Sequence, residues 1–332
     1  MLLVGDIGGT KTILAVYPDH KSPRNAEIEK TYHSAQYISL EDIIKVFMKE
    51  VNQPITSACF GVAGPVLAGK ATITNLPWVI DAENIRTTFS LQRVDLLNDL
   101  ESIAYAIPIL EEEDLFTLNK GEIVDNGNIA VIAPGTGLGE AFLTNLHGTY
   151  YAHASEGGHV SFSPVGSLQI GLLQYLNQRG FDHVSSERVC SGGLGIPNLY
   201  AYLKDTGYAE EPAWLAEALS SADDPSPVIF NCAVDKERTC ELAKATLNLF
   251  VDILATECGN LAIKILATGG VYLGGGIPPR ILASLSSSRF LNLLQGKGRF
   301  KGIMSKMPVH VITNTKAGLM GAAAFGQRHI NT

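Results

Sequence analysis

The stretch "VGDIGGTKTILAVY", Val4–Tyr17, sets an acidic residue and two glycines inside an apolar run that resumes at once with Ile13, Leu14, Ala15, Val16 and Tyr17. A dinucleotide fingerprint requires G-x-G-x-x-G before a helix, and a P-loop requires G-x-x-x-x-G-K-[ST] before a helix. Neither spacing occurs here. The β-branched and aromatic residues after Thr10, with no helical period, predict a second strand, so the glycines close a β-hairpin. Glycines in such a turn remove the Cβ atoms that would hold a ligand off the backbone, and successive N–H groups can form an anion-binding hollow. Phosphate is a natural occupant. An ordinary glycine hairpin with Asp6 as its turn acid is the competing reading of this stretch taken alone.

A second stretch, "NIAVIAPGTGLGEAFL" from Asn128, repeats the layout: apolar strand, Gly135-Thr136-Gly137 turn, then a further strand. A repeat at this separation marks a duplicated domain, not a solenoid unit. Two such domains could face each other with both turns directed into a cleft, gripping a ligand with several phosphates from two sides. Between the copies, "ITSACFGVAGPV" reads as a buried strand ending in a turn and "LQRVDLLNDLESIAYAIPIL" as a strand leading into a helix. From Glu237 to Leu261, Leu242, Leu249, Phe250, Ile253, Leu254 and Leu261 fall on one side of a helix, opposite Lys244, Asn248 and Asp252. Alternating strands and helices with hairpins predict an α/β class with mixed strand direction. The boundary is placed near residue 110, and the acidic run Glu111–Asp114 is read as a solvated face.

The 332 residues suggest two domains. Hydrophobic residues at 46% and charged residues at 17% exclude a mostly disordered chain. The net charge of −8 offers no footprint for nucleic acid or an anionic membrane. No apolar run reaches membrane-spanning length, and the start lacks the basic and cleavage features of a signal peptide. Five scattered cysteines without a C-x-x-C pair point to reduced thiols in a cytosolic protein and against structural zinc.

Asn98 and Asp99 end an apolar run, where polar residues of α/β sheets reach ligands; Asp99 as a helix N-cap is the competing reading. "ASEGGHVSF" places Glu156 and His159 around two glycines, and "SSERVCSGGLGIPNLY" places Glu187 and Arg188 before a glycine-rich turn. Two carboxylates and an imidazole can bond several hydroxyls of a polyol at once. Read singly, His159 is a structural histidine and Glu187 a partner of a cap or of Arg188. Gly274, Gly275 and Gly276 leave backbone bare for a flat ring such as adenine, or simply form a tight turn.

Taken together, "DIGGTKT", "GVAGPV", "TNLPW", "LLNDLESIAYAI", "APGTGLGEAF", "EGGHVSF", "ERVCSGGLG" and "GGVYLGGGIPPRI" resemble, in content and order, the bacterial glucokinase family of the sugar kinase, actin and heat-shock ATPase group. The resemblance implies two ribonuclease-H-like (actin/hexokinase-type) domains with mixed sheets flanking an interdomain cleft. The smaller would be residues 1–110 plus 315–332 with a returning helix, the larger residues 111–314. It implies ATP-dependent phosphorylation of glucose at the 6-hydroxyl, with Asp99 as general base and Asn98, Glu156, His159 and Glu187 on the sugar hydroxyls. Asp6, Gly8, Gly9 and Thr10 would form the first phosphate loop, Gly135, Thr136 and Gly137 the second, and Gly274–Gly276 part of the adenosine site. Asp6 would hold Mg2+ through water. Lys11, where many members have a smaller polar residue, either joins the phosphate loop or projects into solvent. The cysteine-rich zinc motif of the wider repressor and kinase group is missing between Val160 and Val189, so no zinc is expected. A cytoplasmic homodimer acting in the first step of glycolysis is the family habit. Competing readings are a kinase of another hexose, a polyphosphate-dependent kinase, and a sugar-responsive regulator without catalysis. Against the last stand the acidic charge, the retained Asp99 and the lack of a helix-turn-helix segment before the first strand.

Overall fold

β1 (Leu2–Ile7) and β2 (Lys11–Tyr17) form the antiparallel hairpin, with Ile7 opposite Thr12 across the glycine turn. In this computed structural model, residues 1–329 are described apart from 20, 52, 74, 75, 236 and 239. Thr74 and Asn75 of the "TNLPW" motif therefore lie outside the described residues. β3 (Ile28–His33) pairs antiparallel with β2, while β4 (Ser57–Val62) runs parallel to β1 and β8 (Arg93–Asn98) parallel to β4. The resulting sheet has the order β3-β2-β1-β4-β8. A small antiparallel sheet of β5 (Val66–Leu67), β6 (Lys70–Thr72) and β7 (Val79–Asp81) lies between β4 and β8 in the chain.

The second sheet uses β9 (Leu115–Asn119), β10 (Ile129–Pro134), β11 (Leu138–Leu146), β12 (Thr149–Ser155), β13 (Gly270–Leu273) and β14 (Val309–Ile312), in the order β12-β11-β10-β13-β14-β9. β10–β11 is antiparallel and β10–β13–β14 parallel, as in β2–β1–β4–β8. The duplication read from two glycine turns is thus a duplication of sheet order. The chain divides into two units, Met1–Leu115 with Leu146–Ala154 and the residues from Asn314 onward, and Phe116–Asn145 with Ser155–Thr313. The first unit takes in 111–115 and 146–154, which the sequence assigned to the other.

Strand alternation sorts the first unit's core into two faces. Leu3, Ile7, Leu14 and Val16 pack with Ile43, Ile44 and Phe47 of the helix Leu40–Met48. Leu2, Val4, Ile13, Ala15 and Tyr17 pack with Leu319, Ala322 and Ala323 of the helix Ala317–His329. Asp6 shares the period-2 face of Leu2 and Val4, which turns it toward that helix: a Cβ on Gly318 would lie 3.6 Å from Asp6 Oδ2.

The second unit's core surrounds the helix Glu241–Ile265. Lys244, Asn248 and Asp252 are expected to form a polar side. Asn248 is exposed as expected, but Asp252 is buried and paired with Arg289, with Arg289 Nε donating at 2.6 Å to Asp252 Oδ1. The helix packs against β10 and the helices Gly195–Asp205, Pro225–Val234 and Ser288–Gln295, so nearly all of its circumference is interior. In the acidic run Glu111, Glu112 and Glu113 are exposed as expected, and only Asp114 departs from that reading. Asp114 is buried and accepts hydrogen bonds from Arg24 Nη1 at 2.5 Å, Asn314 Nδ2 at 2.7 Å and the Glu111 N–H at 2.9 Å. Burial alone would raise its pKa; the hydrogen bonds from Arg24, Glu111 and Asn314 outweigh that and hold it below the usual carboxylate value.

Candidate active site

In the first unit the parallel strands β1, β4 and β8 end level with one another, Ile7 beside Val62 and Val62 beside Asn98. Ligand-binding groups of α/β sheets collect at such carboxyl edges. The turn Gly8–Thr10 is closed by the Gly8 N–H donating to Lys11 O at 3.0 Å. Ser34 clamps it from outside, donating from Oγ to Gly8 O at 2.8 Å and from its N–H to Thr10 O at 3.0 Å. With those carbonyls occupied, the N–H groups of Gly9 and Thr10 have no backbone partner among the described residues. Such a pair is suited to an anion. Lys11 is exposed at the start of β2, and its charge acts on Asp6.

Asn98, not Asp99, caps the helix Asp99–Ala106: Asn98 Oδ1 accepts from the Leu100 N–H at 3.0 Å and the Glu101 N–H at 3.4 Å. Asn98 Nδ2 donates to Gly64 O at 3.0 Å, tying the cap to the loop after β4. Asp99 is thereby released from capping. It is the first residue of the helix, it reaches the surface, and its Oδ1 accepts from the Leu100 N–H at 2.9 Å. Loss of hydration raises its pKa against hydrogen bonds from Leu100 and Asn98 that lower it. Asp6 is pushed up to about 6, first by burial and then by the charge of Asp99, with Lys11 opposing. A buried carboxyl whose ionisation is disfavoured by a neighbouring acid suits a divalent cation, and Asp6 fits that description. No group of three or more His, Cys, Asp or Glu among the described residues is placed to hold a metal ion, so the other ligands of a cation at Asp6 would be water and substrate oxygens.

In the second unit the turn Gly135–Gly137 is closed by the Gly135 N–H donating to Gly137 O at 2.9 Å. The N–H groups of Gly192 and Gly193 hold the carbonyls of Gly135 and Thr136 at 2.8 and 2.9 Å. The N–H groups of Thr136 and Gly137 are left without a backbone partner among the described residues, as in the first turn. A cavity of about 240 Å³ opens beside this turn. Its lining includes Thr136, Gly193, Phe230, Asn231, Ile277 and Arg280. Gly274, Gly275 and Gly276 do not line it; the residues that follow them do. Gly275 has a packing reason of its own, with φ +81° and Pro134 O only 2.7 Å from where a Cβ would stand.

Glu156, His159 and Glu187 come together in this same unit. His159 Nδ1 lies 3.4 Å from Glu156 Oε2, and His159 Nε2 lies 3.3 Å from Glu187 Oε2. The imidazole bridges two carboxyl groups that are 31 residues apart in sequence (156 and 187). Arg188 is not the partner of Glu187; its guanidinium lies over the Phe181 ring, 4.1 Å from the centroid. Glu156 and His159 are largely exposed and Glu187 less so, which leaves their remaining lone pairs open to an incoming polyol.

The glucokinase family model matches residues 3–329. The chain belongs to the glucokinase family. Curated glucokinases of Nostoc punctiforme and Synechocystis sp. are 36% and 35% identical to it, over 99% and 97% of this chain and 99% and 96% of theirs. The crystal structure of a glucokinase from an Antarctic psychrotroph superposes with a TM-score of 0.82 at 32% identity, covering 98% of each chain. A ROK family glucokinase from Streptomyces griseus, solved in complex with glucose and AMPPNP, shares the fold at a TM-score of 0.61 and 19% identity over 98% of this chain and 99% of its own. The protein is therefore a kinase enzyme with the two-domain actin-like architecture of the sugar kinases.

Several residues around these turns and the cavity carry no signal in the sequence. Ser34 carries no motif and acts on Gly8 from across a strand. Asn231 and Arg280 meet at the cavity from segments separated by the long central helix. Gly192 and Gly193 were visible as a glycine-rich turn, but their bonds to the turn Gly135–Gly137 were not.

Proposed function

We propose that this enzyme transfers the γ-phosphoryl group of ATP to the 6-hydroxyl of glucose, giving glucose 6-phosphate and ADP. The observation that carries the reading is the Asp99 carboxyl, freed from capping by Asn98, at the carboxyl edge of β1, β4 and β8 and within Coulombic reach of Asp6. Asp99 accepts the proton of the 6-hydroxyl as that oxygen bonds to the γ-phosphorus and the bond from phosphorus to the bridging oxygen of ADP breaks. A base with a pKa raised toward neutrality is better matched to this task than an ordinary aspartate. Glu156, His159 and Glu187 hold other hydroxyls of the sugar, together with Asn98. The paired N–H groups of Gly9 and Thr10, and of Thr136 and Gly137, cradle phosphate oxygens, since phosphoryl transfer depends on positioning and charge stabilisation. Asp6 would hold Mg2+ through water, and the ion would supply charge neutralisation on the phosphates; Lys11 would add a positive charge at the same turn. The adenosine lies in the cavity walled by Phe230, Ile277 and Arg280, next to the segment Gly274–Gly276. Glycolysis in the cytoplasm is the setting this product implies, and a homodimer is the assembly.

The test is ADP release with glucose, fructose and mannose, each with MgATP or polyphosphate, in wild type and Asp99→Ala. Glucose with MgATP gives the largest rate. The variant loses at least about 10²-fold in kcat while calorimetry still detects glucose binding. Undiminished turnover by Asp99→Ala removes Asp99 from its role.

A further inference from the structure

Glu187 faces two neighbours, and only one of them belongs to the sugar set. Its Oε2 lies 3.3 Å from His159 Nε2. Its Oε1 lies against the turn Gly135–Gly137: a Cβ on Gly137 would stand 2.5 Å from that oxygen and 3.7 Å from the carboxyl carbon. Apart from the chain neighbours of Gly137, no other heavy atom of the described residues comes within 4 Å of that position. Gly137 does not take up a left-handed φ, so its lack of a side chain makes room for this carboxyl and does not relieve a strained backbone.

Both sides of this contact are held in place. Ser186 Oγ donates to the buried Glu257 at 3.1 Å and the Ser186 N–H donates to Val160 O at 2.9 Å, which fixes the start of the short helix Ser186–Val189. On the other side the Gly192 and Gly193 N–H groups hold Gly135 O and Thr136 O at 2.8 and 2.9 Å. One stretch of chain, 186–193, thus carries the sugar-facing carboxyl and the two donors that pin the turn. The whole of it lies in the second unit, together with Gly137 and His159.

We propose that Glu187 couples the two ligands: its carboxylate disfavours phosphate at the turn Gly135–Gly137 until sugar hydroxyls engage it, so that glucose raises the affinity for the nucleotide's phosphate chain. The inference rests on the reading of Glu187 as a sugar contact and of that turn as a phosphate loop. A carboxylate left against the turn repels an incoming phosphate, and the repulsion strengthens as water is displaced from between them. Among the described residues its one ion-pairing neighbour is His159, which it shares with Glu156. Sugar hydroxyls that donate to the carboxylate disperse its charge and draw it off Gly137. Linkage then requires the converse, the nucleotide raising the affinity for glucose by the same factor.

Calorimetric titration of the whole enzyme with AMPPNP and Mg2+, with and without saturating glucose, tests this in wild type, Glu187→Gln and Gly137→Ala. Glutamine keeps the shape and removes the charge. The alanine methyl meets only the far end of a flexible side chain, so it displaces the carboxyl and leaves the backbone in place. In wild type, glucose raises AMPPNP affinity about tenfold, and AMPPNP raises glucose affinity equally. In Glu187→Gln, AMPPNP without sugar binds about as tightly as it does to glucose-loaded wild type, and glucose then changes its affinity by less than about twofold. Gly137→Ala weakens glucose binding by at least about threefold, although the substitution stands on the phosphate turn. Adenosine, which carries no phosphate, binds wild type equally with and without glucose. The proposal is overturned if wild type binds the two ligands independently, if Glu187→Gln keeps the wild-type factor, if Gly137→Ala binds glucose normally, or if glucose acts on adenosine as on AMPPNP. Undiminished glucose binding by Glu187→Gln is a separate failure: it removes Glu187 from the sugar set, and the coupling role goes with it.

Discussion

Asp6 keeps a carboxyl where ionisation is disfavoured, with a pKa pushed to about 6 by burial and by Asp99. The folded value lies above the ordinary 3.8, so the stability gained by holding this proton is complete below about pH 4 and is lost as pH rises through about 6. Asp6→Asn removes the group that loses stability. In thermal melts without nucleotide or metal, the variant exceeds wild type by a few degrees at about pH 8, on the order of 2 kcal/mol, and shows no advantage at about pH 4. Its MgATP-dependent turnover falls by at least about tenfold, because the same charge is what a cation at this edge requires. A wild type as stable as the variant at about pH 8 would contradict the assignment. Asp6 was legible in the sequence as a turn acid beside glycines; its altered proton affinity was not, because Asp99 stands 93 positions further on (6 and 99).

At the scale of elements, the contact between the helices Asp99–Ala106 and Ala317–His329 decides how Asp99 is held. Gly321 makes the approach possible: a Cβ there would collide with Ser102 O and stand 2.8 Å from the Ala106 nitrogen, and backbone cannot yield as a side-chain tip can. Gly321→Ala is expected to lower stability by about 2 kcal/mol or more, read as a lower denaturation midpoint with an unchanged slope. It is also expected to lower kcat, since the displaced helix carries Asp99, the proposed base; glucose turnover measured well below the melting temperature separates the two effects. The strands around both glycine turns were legible from alternation and β-branched content, which are local properties. The helix Glu241–Ile265 was legible as a helix but not as a central one. Asp252 looks like a surface residue until Arg289 is placed beside it.

At the scale of the whole molecule, each unit has its own hydrophobic core, and the cavity assigned to adenosine is walled by residues of the second unit alone. Nucleotide-dependent stabilisation should therefore be independent of the base. AMPPNP at about 100 times its Kd is expected to stabilise wild type and Asp99→Ala alike, by about 2.7 kcal/mol, whereas Phe230→Ala loses most of that gain. Equal gains in all three proteins, followed by differential scanning calorimetry, would place the nucleotide elsewhere.

The sequence alone determined the α/β class, the duplication and the two glycine hairpins, and it singled out Glu156, His159 and Glu187 as polar residues beside glycines. These are carried by short-range pattern: period-2 apolar runs, turn glycines and motif order. Tertiary structure decided that Asn98 rather than Asp99 caps the helix, that His159 bridges Glu156 and Glu187, and that Asp114 is buried on Arg24. Each of these depends on groups distant in the chain being brought within hydrogen-bonding or Coulombic range, and burial changes what a carboxyl does only after the fold has removed its water.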